Sequence, residues 1–256
     1  MSSRPVVFVA WDSTLDAVEQ VFTGIRDDPD GVDVEILGAI GDLAIGRLHA
    51  RLDEAVQRSA AVLAVVDQPN ANMAWELGMA LAKGRPIALA VEARSIGPSW
   101  VDGTPLGGIL RQPDIIQHAR KLIASQHTWP AAPRPPSIGT RKLVLCPEQG
   151  LGAELRRALK KLPEEWELLD TRGWVLARLP ELLEGVGRLA WVQLRTQTGE
   201  VRHGVENTIG ALVTAYAQAC GIAVRTFDDS KCPRPIDARE IETEFSGAPK
   251  DLPTAI

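Results

Sequence analysis

Cysteine and histidine are scarce: three cysteines (Cys146, Cys220, Cys232) and four histidines (His49, His118, His127, His203) occur in 256 residues. The cysteines are odd in number, far apart and never spaced as CxxC, which argues against a disulfide framework or a zinc site and suits a reducing cytoplasm. The histidines show no ligand spacing, so no metal is expected. No apolar run reaches the roughly 18 residues of a membrane span, and "MSSRPVVFVAWDST" is too short in its apolar part for a signal peptide. These absences predict a cytoplasmic chain with no membrane partner. Lys and Arg are scattered through a chain of net charge −5. The broad positive field of a nucleic-acid binder is therefore missing, while a small anionic ligand held by local groups is not excluded.

What is present is apolar and periodic. With 45% hydrophobic residues the chain can bury a full core. Short β-branched runs, "PVVFVA" (5–10), "VDVEIL" (32–37), "AVLAVV" (61–66) and "PIALAV" (86–91), alternate with helical patterns. Near-continuous apolar strands of this kind belong to parallel sheets covered on both faces. Residues 128–140, "TWPAAPRPPSIGT", carry four prolines and read as a linker. The pattern then restarts with "KLVLC", a helix at "LGAELRRALKKL", "WELLD", a helix near 174–185, "LAWVQL", a helix at 206–220 and "IAVRTF". The expected architecture is α/β, with two tandem doubly wound (flavodoxin/Rossmann-like) parallel-sheet domains at 1–127 and 141–228, and a polar tail at 229–256.

The two halves align at one helix. "NANMAWELGMALAKG" (70–84) and "NTIGALVTAYAQACG" (207–221) share Asn at the first position, Ala at the fifth, eleventh and thirteenth, and Gly at the fifteenth. Strands flank both segments. That agreement favours duplication of one α/β unit over two unrelated Ala-rich helices with glycine caps. One mismatch is informative: Glu76 in the first segment faces Val213 in the second. If Glu76 is catalytic, only the first half carries the chemistry.

Taken alone, Glu76 reads either as a solvated helix carboxylate or as a carboxylate screened beside Trp75. The second arrangement suits glycosyl transfer, where a carboxylate must attack or stabilise an oxocarbenium-like centre. The stretch "AVLAVVDQPNANMAWELGMALAKGRPIALA" (61–90) resembles the core motif of the nucleoside 2-deoxyribosyltransferase family, including its deoxynucleoside monophosphate N-glycosidases. Gln68, Pro69, Trp75, Glu76, Leu77, Gly78, Ala80, Ala82 and Pro86 carry the likeness. The resemblance implies that Glu76 is the nucleophile that takes the deoxyribosyl group. It also implies a second carboxylate on the preceding helix, at Asp53, whose bland reading is a solvated ion-pair partner. Asp67 and Asp12, at the ends of the third and first strands, compete for that role, because open α/β sheets bind ligands at such strand ends. Trp11 or Trp75 would flank the base, and Asn70, Asn72 and Gly78 would line the substrate.

The sequence departs from the family where "NAN" replaces a small glycine-containing loop and where "AWDST" lacks glycine. Bond cleavage is thus better supported than phosphate binding. No metal or cofactor is needed, because the leaving group is a base that protonation can assist. The implied partner is a small-molecule nucleoside or nucleotide. Family members commonly dimerise and complete each other's sites, so either a homo-oligomer or an intramolecular pseudo-dimer is expected. Two other functions fit the residues: a TIR-like NAD hydrolase, which uses a similar helix and Glu, and a non-catalytic nucleotide-binding or signalling module. "GDLAIGRL" lacks the Lys and Ser/Thr of a P-loop. "LCPEQGLGAEL" has Leu155 where a dinucleotide fingerprint needs its third glycine, so both are set aside.

Overall fold

The computed structural model describes residues 6–11, 33–35, 48–66, 71–91, 110–111, 134–146, 153–169, 178–192 and 205–227. They form an α/β structure with parallel sheets. The first sheet contains β1 (Val6–Trp11), β2 (Asp33–Glu35), β3 (Ala61–Val66), β4 (Ile87–Val91) and β5 (Leu110–Arg111). Its order is β2-β1-β3-β4-β5, and every neighbouring pair is parallel. Helix α1 (Leu48–Arg58) enters β3, and α2 (Ala71–Ala82) links β3 to β4. Three of the β-branched runs become the inner strands β1, β3 and β4, where Phe8, Ala10 and Ala61 to Ala64 are buried, and the run at 32–37 supplies the edge strand β2. β2 falls within the run at 32–37, and β5 has no counterpart among the expected strands.

The second sheet contains β6 (Arg141–Leu145), β7 (Trp166–Leu169), β8 (Val186–Val192) and β9 (Ala223–Phe227). Its order is β7-β6-β8-β9, again wholly parallel, so it repeats the order of the first four strands of the first sheet. Three helices belong to it: α3 (Ala153–Leu159), α4 (Leu179–Leu182) and α5 (Val205–Ala219). The helix expected near 174–185 is only the four residues of α4 where it is described. Gly185, at φ 73, ends it in a left-handed turn, and β8 starts at Val186, three residues earlier than "LAWVQL" suggested. Described linker residues run beside this turn. Gly185 donates its N–H to the Ser137 carbonyl at 2.9 Å, and a Cβ on Gly187 would meet the Gly139 carbonyl at 2.2 Å.

Helices α2 and α5 end alike. Gly84 (φ 67) and Gly221 (φ 86) both take the left-handed conformation. In the first helix Arg85 N–H reaches Ala80 O and Gly84 N–H reaches Leu81 O, at 2.9 and 3.0 Å. In the second, Ile222 N–H reaches Ala217 O and Gly221 N–H reaches Gln218 O, both at 2.9 Å. This is the Schellman pattern twice, at equivalent positions, and it satisfies carbonyls that a helix end leaves open.

The two sheets share a core. α2 packs on β1, β3 and β4, α5 packs on β8 and β9, and the two helices lie against each other between the sheets. One hydrophobic cluster runs through both, from Phe8, Leu52 and Ile87 through Trp75 and Leu212 to Leu189 and Trp191. Gly78 makes the approach close: a Cβ there would lie 2.3 Å from Leu212 O and 3.0 Å from the Cβ of Ala215. Gly78 and Ala215 hold the same place in the internal alignment. Lys83, at the end of α2, is near enough to Cys220, at the end of α5, to act on its thiol by charge. The helices therefore run side by side in the same direction. Each runs opposite to the strand before it, so the carboxyl edges of both sheets face the same end of the molecule.

Candidate functional site

In a sheet of order 2-1-3-4-5 the chain leaves β1 toward one edge and β3 toward the other. Sheets with this order take their ligands in a crevice outside the carboxyl ends of the two strands at the switch point. Trp11 closes β1, paired in register with Val65 of β3. Asp12, Asp67 and Asn70 follow these strand ends in the chain and lie outside the described residues. α2 starts five residues after β3, so its first two turns rise beside this crevice.

Nine of the twelve residues of α2 are buried, and only Asn72, Glu76 and Ala82 are half-buried. An acidic side chain in such a helix must find a polar outlet. Glu76 has one: it is half-buried overall, with its Oε2 shielded from solvent. Asn72 precedes it by one turn, so the two side chains share a face at about 5–6 Å between Cβ atoms. Gly78 faces α5. Glu76, two residues earlier, projects about 200° around the helix from it, toward the side away from the second sheet. A carboxylate with one screened oxygen beside an amide can serve as a nucleophile or stabilise a developing cation.

The other expected site residues are distributed differently. Asp53 lies on α1, and its carboxylate pairs with Lys83 at 2.9 Å, both side chains about a third exposed or less. Lys83 follows Glu76 by seven residues, about 10 Å of helix rise, so this pair lies toward the opposite end of α2 from the crevice. Trp75 is completely buried in the shared core. Its ring is packed against protein, because the residue falls on the α5-facing stripe of α2 with Ala71, Gly78 and Ala82. Gly78 likewise sits in the helix crossing. Among the described residues, Asn72 and Glu76 are thus brought together beside the crevice, and Trp75, Gly78 and Asp53 are not.

Residue-by-residue reading of the sequence did not single out Lys83 as the partner of Asp53, nor Leu212 and Ala215 as the surface that Gly78 meets. The equivalent small residues at positions 78 and 215 of the internal alignment were the available signal for that contact.

Among the described residues no three His, Cys, Asp or Glu side chains gather as a metal site would require, and no helix is long and apolar enough to cross a membrane. No family model matches the chain, and no curated protein matches it.

Proposed function

We propose that this protein cleaves or transfers at the N-glycosidic bond of a nucleoside, nucleotide or related dinucleotide, with Glu76 as the reacting carboxylate. The observation that carries this reading is the placement of Glu76: a partly screened carboxylate in the second turn of an otherwise apolar helix, beside the β1/β3 switch point. A Glu76 oxygen attacks C1′ as the C–N bond breaks, and the bonding pair leaves with the base, which takes up a proton. Water or an acceptor base then displaces the carboxylate and frees it for another cycle. Asp67 or Asp12, next to the strand ends, supplies the proton or holds the sugar. Asp53, paired with Lys83, is the less favoured candidate.

The same reading takes the chain as a tandem duplication of one doubly wound unit, and three features support it. The strand orders repeat, the glycine caps of α2 and α5 repeat, and Gly78 meets its own equivalent, Ala215. In this view the second half is a copy without the carboxylate, and the small-molecule site belongs to the first. Cys146 and Cys220, neither of them in a disulfide, are in keeping with a reducing cytoplasm.

The test is incubation of wild type and Glu76→Gln with a mixed pool of nucleosides, deoxynucleotides and NAD, with released bases read by mass spectrometry. Base release by the wild type, reduced at least about 1,000-fold in the variant, is the expected result. Nicotinamide as the only base released would replace the deoxyribosyl reading with NAD hydrolysis. Release from neither protein, with a nucleotide retained by both, would leave a binding module.

A further inference from the structure

α2 and α5 pack closely at Gly78. A Cβ there would stand 2.3 Å from Leu212 O, 3.0 Å from the Cβ of Ala215 and 3.0 Å from Tyr216 N. Two of these three atoms are main chain and cannot swing aside. On the opposite face of the same helix, two residues away, is Glu76. α2 is thus held between α5 and the first sheet, and its depth over β1 and β3 is set by how closely α5 approaches.

We infer that Gly78 is a positioning residue for Glu76, and that the second half of the chain helps set the height of the reacting carboxylate through the close contact it makes there. The inference rests on the proposed role of Glu76 and extends it to the second half. Restoring an ordinary 3.4 Å contact at Gly78 after adding a Cβ requires about 1 Å of movement. A tightly packed interior transmits such a shift through the rigid helix rather than absorbing it. Misplacement of a reacting group by about 1 Å costs about 100-fold in rate. The displaced group is the reacting carboxylate itself, so the loss is expected on kcat rather than KM.

The experiment uses the full-length protein and the substrate that the wild type turns over. Gly78→Ala adds the methyl from α2, and Ala215→Val widens the same contact from α5, in the half that has Val213 in place of Glu76. Both are assayed below their melting temperatures, with folding checked by circular dichroism. The expected result for each is kcat lowered about 10- to 100-fold with KM within about twofold of wild type. A lower melting temperature with kcat unchanged overturns the inference, and Glu76→Gln then still reports whether Glu76 is catalytic. If the wild type releases no base, the catalytic reading and this inference fail together. Should Gly78→Ala or Ala215→Val not fold, Ala215→Ser makes the smallest wedge at the same contact and is judged by the same two outcomes.

Discussion

Helices α2 and α5 hold the same place in their sheets and end in the same glycine cap, and they meet through equivalent small residues. They differ on the remaining face. In α2 the stripe away from the partner helix carries Asn72 and Glu76, both half-buried. In α5 the equivalent positions are Ile209 and Val213, both buried, and Cys220 at its end lies near Lys83. Burial pushes the Cys220 thiol above its ordinary range, and burial likewise raises neighbouring Tyr216, whose hydroxyl donates to Cys220. One scaffold thus holds a polar stripe in one half and an apolar stripe in the other. Packing fixes the faces that touch, and the faces that do not touch are free to diverge toward chemistry or toward core.

The sharpest way to break this comparison is to exchange its central residues. Val213→Glu places a carboxylate at a site with no exposure and is expected to cost about 3–5 kcal/mol in urea unfolding. Glu76→Val, at a half-open site, should change stability by no more than about 1 kcal/mol. Equal costs would show that the two stripes are packed alike and that the polarity of the first has no special outlet.

A smaller effect is expected at the end of α2. Asp53→Asn removes the partner of Lys83 from a partly exposed ion pair, worth at most about 1 kcal/mol of stability. If Asp53 is only that partner, base release is unchanged. A loss of more than about 10-fold with the fold intact would bring Asp53 back into the reaction and extend the active stripe along the helix.

The smallest expected effect lies in the second half, at the linker. The Ser137 hydroxyl and N–H both donate to Glu184, which lowers its pKa from the ordinary carboxylate value. A lowered folded-state pKa contributes stability above the unfolded value of 4.5, and that contribution is lost as pH falls through the folded value. Melting temperature followed downward from pH 5 should therefore decline less steeply in Glu184→Gln than in wild type. Parallel curves would mean that this exposed carboxylate, and the linker it holds, contribute nothing measurable.

Much of the fold was legible in the chain because strand burial and helix capping are local. The runs at 61–66 and 222–227 became parallel strands as their composition suggested, and Gly84 and Gly221 marked helix ends because only glycine takes positive φ cheaply. The helix near 174–185 was overextended at its end, because the turn to β8 already begins at Leu183 and closes at Gly185. The candidate site was less legible. Glu76 stood out against its apolar neighbours, but the same neighbours concealed that Trp75 is core. A Trp beside a carboxylate reads alike whether its ring meets a ligand or a second helix.

The sequence alone determined the parallel α/β character, the repeat of strand and helix, and the asymmetry of Glu76 against Val213, since each depends on residue type and spacing along the chain. Tertiary structure decided that α2 and α5 run together between the sheets, that Gly78 admits the backbone of α5, and that Glu76 faces away from it. Those outcomes depend on which surfaces meet across more than a hundred residues of intervening chain, and periodicity along one helix does not specify its partner.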